Sequence, residues 1–224
     1  MIKTKQFTAS LVSFFFLLCC LLAPVANAID YEKLHKVLTL KFGRQALQNF
    51  NAWQSLMQSN GYASSDEKLK RINEFVNRRI NWGEDKDIWG QADYWATPME
   101  TLGRGAGDCE DYAILKYYSL INLGIPIAKL RLVYVKAQNI NSTGSGSQAH
   151  MVIAYYDSPD AEPIILDSLI TEIKPASRRP DLQPVFSFNT EGIYADLGGR
   201  AERSMNARLS RWQSLMLRAQ EEGF

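Results

Sequence analysis

The sequence predicts an α+β domain in which helices pack on one small antiparallel sheet. Three observations point there. Apolar residues recur at helical spacing through 30–58, through 69–80 and again near the C-terminus. A dense apolar run, Tyr112 to Ile121, follows a glycine-rich stretch and is long enough for a buried helix. Between residues 130 and 167, three strand-like runs are separated by turn-rich segments.

The first 28 residues stand apart from that domain. Met1 to Lys5 is basic, Phe7 to Ala23 is mostly apolar, and Ala26-Asn27-Ala28 offers a small-x-small cleavage site. Residues 1–28 are therefore expected to be a cleaved signal peptide and 29–224 a single domain. A retained anchor and a lipidated Cys19 are the alternatives. Against the first, the apolar core is short for a span and Pro24 breaks it. Against the second, Leu18 stands where a small residue would precede a lipidated cysteine.

Export changes two counts. Of three cysteines, Cys19 and Cys20 leave and Cys109 stays. Of 25 Lys and Arg, Lys3 and Lys5 leave, so 23 cations face 24 acids. A chain so close to neutral gives no electrostatic case for nucleic acid or an anionic membrane surface. A lone cysteine in an exported chain forms no internal disulfide and risks oxidation. The alternative to a reactive thiol is a buried, inert cysteine acting as a small hydrophobe.

Each element is justified in turn. Leu34, Val37, Leu38, Phe42, Leu47, Phe50, Trp53 and Leu56 keep a helical period, with Gly43 as a possible break and Asn60-Gly61 as the end. Ser65 to Lys68 resembles a capping box ahead of Leu69, Ile72, Phe75, Val76 and Ile80. Residues 82–102 place Trp82, Trp89, Tyr94 and Trp95 among Gly, Asp, Asn and Pro with no period, a loop either pinned to the core or lining a cleft. Thr97-Pro98-Met99-Glu100 can start a short helix. Gly103, Gly105 and Gly107 then make a loop that can turn tightly and approach a ligand. Gly124-Ile125-Pro126 stops the apolar helix. Strands are expected at Leu130 to Val135, His150 to Tyr156 and Pro163 to Asp167, forming a meander, with a weaker one near Val185 to Phe188. The segment Gln138 to Gln148 is a polar turn region; its Asn141-Ser142-Thr143 matches a glycosylation triplet. Ala201 to Gln220 reads as a last amphipathic helix, with Met205, Leu209, Trp212, Leu215 and Met216 inward.

The chemistry concentrates at Gly107-Asp108-Cys109-Glu110-Asp111-Tyr112. Asp108 is a good N-cap, and Glu110 and Asp111 suit a first helical turn. Cys109 then sits at a helix N-terminus, where the dipole favours a thiolate. The neighbouring carboxylates oppose this, so the site asks for a histidine, a metal ion, or both. The chain has two histidines, and His35 lies among core-type residues of the first helix. His150 opens a strand, and Asp167 closes the next one. Antiparallel neighbours can bring the two side by side. Cys109, His150 and Asp167 thus supply a nucleophile, a base and an orienting carboxylate. The Cys109 N–H is a candidate oxyanion donor, and a Trp95 indole N–H a further one.

Trp95-Ala96-Thr97-Pro98, then Gly107 to Ala113 and Lys116, resembles the bacterial transglutaminase-like cysteine proteinases of the LapG type, over about residues 30–220. The resemblance implies a papain/transglutaminase-like cysteine protease fold. It implies a periplasmic, calcium-dependent endoprotease that cuts large repeat-containing adhesins near the N-terminus beside paired alanines, releasing them and dispersing biofilm. It also implies sequestration by an inner-membrane cyclic-di-GMP receptor of the LapD type. Matched by position, Cys109 is the nucleophile, His150 the base and Asp167 the orienting acid. Asp108 and Glu110 match the family's calcium-binding acids, with Asp111 a further candidate. Hard oxygen donors suit calcium, and these few acids need carbonyls, waters or residues of the Trp82–Trp95 loop to complete a shell. A crosslinking acyl transferase using the same thioester, and a non-catalytic binding module, are the alternative functions.

Overall fold

The computed structural model describes residues 29–138, 146–194 and 202–224, with residues 202–207 described through their backbone only. The expected signal segment, the Asn141-Ser142-Thr143 triplet and the Met205 side chain lie outside the described residues. No helix among the described residues is long and apolar enough to cross a membrane.

The helical period of the N-terminal third resolves into three helices: α1 (Tyr31–Phe42), α2 (Leu47–Ser59) and α3 (Ser65–Arg79). Gly43, at φ 77°, breaks the first two apart, and a 3-10 turn, Arg44–Ala46, carries the chain between them. Asp30 and Ser64 cap α1 and α3 by accepting from Lys33 N–H and Glu67 N–H. The cap of α3 is therefore one residue earlier than the sequence suggests. Leu34, Leu38, Phe50, Trp53, Leu69, Ile72 and Val76 turn inward and are fully buried. Each such side chain contributes about 1.5–3 kcal/mol relative to exposure.

The aromatic segment contains more order than its sequence shows. It holds β1 (Asn81–Trp82) and the short α4 (Asp85–Trp89), and is followed by α5 (Pro98–Arg104) and β2 (Ala106–Gly107). Thr97 and Glu100 form a capping box, with Pro98 at the first position of α5. Gly103 is a correction to the expected loop: it lies inside α5, and a Cβ there would stand 2.4 Å from the Phe42 ring. This glycine permits close packing of α5 on α1. Gly105, at φ 65°, ends the helix in the left-handed region. β2 then pairs in parallel with β1, Trp82 opposite Gly107.

The apolar run is α6 (Cys109–Asn122), capped by Asp108 and buried from Glu110 to Leu120. A helix buried on all sides is the centre of a domain. It packs on α3 and on the inner face of a six-stranded sheet. The strands are β3 (Leu130–Gln138), β4 (Ser147–Tyr155), β5 (Ile164–Leu166), β6 (Lys174–Pro175), β7 (Leu182–Phe188) and β8 (Ile193–Tyr194), in the order β6-β5-β4-β3-β7-β8. The expected β3-β4-β5 meander is present and antiparallel. The weaker strand, β7, returns to the far side of β3. β4 starts three residues before His150, so the histidine lies within the strand. Leu132 and Met151 join the helix-side core, while Val133 and Val152 form a smaller cluster on the other face, as period-2 alternation requires.

The C-terminal helix α7 (Glu202–Glu222) closes the helical side, with Trp212, Leu215 and Ala219 buried. It also braces the aromatic segment. Arg218 donates to Glu100, to Tyr94 Oη and to the Trp95 carbonyl, and Arg211 pairs with Asp93 at 3.1 Å. The segment is both pinned and cleft-lining. Trp95 is buried and stacked on Phe188, whereas Trp82 is 60% exposed on the cleft.

Candidate active site

A cavity of about 500 Å³ opens beside the start of α6. Cys109, Glu110 and Asp108 form one wall, and His150 and Ala149 of β4 another. Trp82, Asp85 and Asp93 come from the aromatic segment, Leu169 from the loop after β5, and Arg208 from α7. Local folding explains the placement. β2 delivers the chain to Asp108, whose carboxylate caps Glu110 N–H at 3.2 Å, so Cys109 starts the helix. The Cys109 sulfur accepts from the N–H of Met151, the residue after His150. The thiol is thus held against β4 at the histidine.

His150 and Asp167 meet as the strand pairing suggests. Ile153 faces Leu166 across the β4–β5 ladder, and the next residue of β5's chain is Asp167. His150 Nε2 and Asp167 Oδ1 are 2.6 Å apart, with side chains 2% and 0% exposed. This contact uses Nε2, so Nδ1 is the ring nitrogen left for the cleft. Burial alone would raise Asp167. The hydrogen bond and charge of His150, the Leu169 N–H and Arg179 outweigh it and hold the carboxyl at about 2. Cys109 and His150 thus line one cleft, and the buried Asp167 carboxylate meets His150.

The acids divide into two groups. In one, Glu110 accepts from the Cys109 thiol at 2.7 Å and stands 3.7 Å from Arg208. Burial, then the charges of Glu110 and Asp108, push the thiol well above its ordinary value. In the other, Asp85, Asp108 and Asp111 bring carboxylate oxygens within 4.8 Å of one another. Asp85 Oδ2 accepts from Tyr94 N–H at 2.5 Å, and Asp111 Oδ1 from Ala96 N–H at 2.8 Å. Their second oxygens, Asp85 Oδ1 and Asp111 Oδ2, are buried with no side-chain hydrogen-bond partner among the described residues. Burial and mutual repulsion push Asp108 up to about 10 and Asp85 up to about 6, and burial pushes Asp111 up as well. Two such buried oxygens in one cluster of three acids fit a hard divalent cation. Asp111 also leaves no room for a side chain at Gly107, where a Cβ would lie 2.6 Å from its Cβ.

Three residues that sequence reasoning missed support this site. Asp85 was hidden in the aromatic stretch; that stretch was expected to complete a metal shell, but no residue stood out. Arg179 Nη2 donates to Asp167 Oδ2 at 2.6 Å. Asn77 donates to the Asp167 carbonyl at 2.8 Å. Lys116, noted only within the motif, is 1% exposed and donates to the same carbonyl at 3.0 Å. Burial lowers its ammonium to about 7. Two other residues lie outside this site. His35 is exposed on α1, against Phe50. The Trp95 indole, considered as an oxyanion donor, instead donates to Asp93 at 3.2 Å from a buried position.

Comparisons with known proteins agree with this geometry. The family described as bacterial transglutaminase-like cysteine proteinase, BTLCP, matches residues 41–180. No curated protein matches the chain. Among solved structures, Legionella pneumophila LapG is 38% identical, with a TM-score of 0.70 over 87% of this chain and 99% of that one. Its EGTA-treated form is 37% identical, TM-score 0.70, covering 87% and 100%. Its calcium-bound form is 38% identical, TM-score 0.68, covering 85% and 99%. The family match spans more than half of the chain, and the LapG likeness spans most of both chains at this identity. The chain belongs to the bacterial transglutaminase-like cysteine proteinases, and its α+β architecture is their transglutaminase-like fold.

Proposed function

We propose that this chain is a calcium-dependent cysteine endoprotease in which Cys109 attacks, His150 carries the proton and Asp167 orients the imidazole. The observation that carries the reading is the buried 2.6 Å His150–Asp167 pair set beside the helix-start thiol in one cleft. His150 Nδ1 takes the thiol proton as sulfur attacks the scissile carbonyl. The Cys109 N–H, at the start of α6, faces the oxyanion that forms. The imidazolium then protonates the departing amine, leaving a thioester on sulfur. Water, deprotonated by His150, hydrolyses the thioester and restores the thiol. Asp167 stays ionised throughout and stabilises the imidazolium.

Calcium would be held by Asp85, Asp108 and Asp111, with Glu110 next to them, and would supply the positive charge that these acids lack. The solved calcium-bound and EGTA-treated forms of the Legionella protein support calcium as the ion.

The substrate is a large repeat-containing adhesin, cut near its N-terminus beside paired alanines to release it and disperse biofilm. The enzyme works in the periplasm after removal of residues 1–28 and is restrained by a LapD-type cyclic-di-GMP receptor. These assignments rest on the family membership and on the leader-like N-terminus. An open cleft with Trp82 and Leu169 exposed on its rim suits an extended polypeptide. The test is cleavage of a purified adhesin N-terminal fragment, read by mass spectrometry. Cleavage is expected from the parent and none from Cys109→Ala. Retained cleavage by that variant refutes the assignment.

A further inference from the structure

The far side of Asp167 holds a group the mechanism above does not use. Arg179 follows the 3-10 turn Ala176–Arg178, and its side chain is 2% exposed. Nη2 donates to Asp167 Oδ2 at 2.6 Å and to Asp181 Oδ2 at 2.7 Å, while Nε donates to Asp181 Oδ1 at 2.9 Å. Nη1 is buried without a hydrogen-bond partner among the described residues. The two Asp167 oxygens are thereby divided. Oδ2 is taken by the arginine, and Oδ1 is left for His150 and the Leu169 N–H at 3.0 Å.

Resting on the protease reading, we infer that Arg179 is a positioning residue for the reaction: it locks the Asp167 carboxylate in rotation and sets how strongly that carboxylate holds the imidazolium. Two physical effects follow. A charge-assisted bond from an arginine that Asp181 itself holds through Nε and Nη2 fixes Asp167 Oδ2, so Oδ1 keeps its line to Nε2. A fixed positive charge on the opposite oxygen draws off part of the attraction that Asp167 exerts on His150. Asp181 moderates the arginine in turn, since it shares the same Nη2. The other charged groups around this pair are Lys116 of α6, on the Asp167 carbonyl, and Cys109 and Glu110 at the helix start.

The test reads His150 directly and needs no substrate. The chain has two histidines, so ¹⁵N-histidine NMR of the full mature chain gives two imidazole signals, assigned with His35→Gln. Cys109→Ala is used as background, with calcium held at a fixed saturating concentration, so that neither the thiol nor the metal varies. Arg179→Met is expected to raise the His150 titration midpoint by about one pH unit. Asp181→Asn, which frees the arginine for Asp167, is expected to lower it. A role in folding alone would not produce shifts of opposite sign. Midpoints that stay together in variants that still melt cooperatively overturn the inference. Should Arg179→Met fail to fold, Asp181→Asn decides alone: a lowered midpoint supports the inference and an unmoved one overturns it. Failure of the protease reading appears separately, as cleavage by Cys109→Ala.

Discussion

Replacing Asp167 with asparagine changes one oxygen into an amide nitrogen, and the structure dictates which way that amide turns. With its oxygen toward His150 and Leu169, the Asn NH₂ would face Arg179 Nη2, donor against donor at the 2.6 Å of the present contact. With its oxygen toward Arg179, the NH₂ faces His150 Nε2 and crowds the Leu169 N–H, now 3.0 Å from Oδ1. The arginine bond is charge-assisted and buried, roughly twice as strong as a neutral one. The second orientation wins. Nε2 must then accept, and the ring proton moves to Nδ1, the nitrogen that should receive the thiol proton. The base is held in the wrong tautomer. By analogy with triads that suffer this fault, the rate should fall about 10³–10⁴-fold. That corresponds to about 4–5.5 kcal/mol of lost transition-state stabilisation. Single-turnover cleavage of the adhesin fragment measures it, with circular dichroism to show an intact fold. A rate within a few fold of the parent would remove Asp167 from the proton path and the tautomer argument with it.

Further outcomes follow from the acid cluster and from Lys116. Calcium should raise the melting temperature of the metal-stripped chain and EGTA should abolish cleavage, whereas Asp111→Asn should melt higher than the parent when metal-free and respond weakly to calcium. Because Asp85 sits above its unfolded value, the metal-free parent should lose stability as pH rises from about 4 to 6; calorimetry showing neither the calcium response nor this slope would refute the cation site. Lys116 titrates near 7 when folded but near 10.5 when unfolded, so the unfolded chain binds the extra proton between those values and stability should rise with pH across that window. Lys116→Met should flatten this rise in urea titrations at pH 7 and pH 10, and an unchanged slope would show that the ammonium is not destabilised by burial.

Much of the fold was legible because its signals are local. Helical spacing marks α1 to α3, Asp108 marks the start of α6, and alternating apolar residues mark β3 and β4. The His150–Asp167 pair was also within reach, since two strands joined by one turn leave few alternatives for their ends. What escaped the sequence is long-range or sterically specific. Gly103 reads as a turn residue, yet it is there because the Phe42 ring occupies the space of a Cβ. Asp85 belongs to a five-residue helix, too short to show a period, and only tertiary folding carries it to Asp108 and Asp111. Arg179 lies 12 residues beyond Asp167, across a 3-10 turn and a two-residue strand whose path no propensity specifies. The return of β7 to the far side of β3 has the same cause.

The crowding around Asp167 has a kinetic meaning. Its partners Asn77, Lys116, His150 and Arg179 stand 90, 51, 17 and 12 positions away along the chain. Closing loops of such different lengths onto one residue costs entropy that only a nearly complete fold repays, and contacts of this kind form late. Collapsed but immature chains should therefore lack the Asn77 and Lys116 bonds that hold the Asp167 carbonyl in place. Recovery of cleavage during refolding should lag behind recovery of helical signal. In a chain assembled in this order, the return of cutting reports a finished fold more strictly than the return of its helices does.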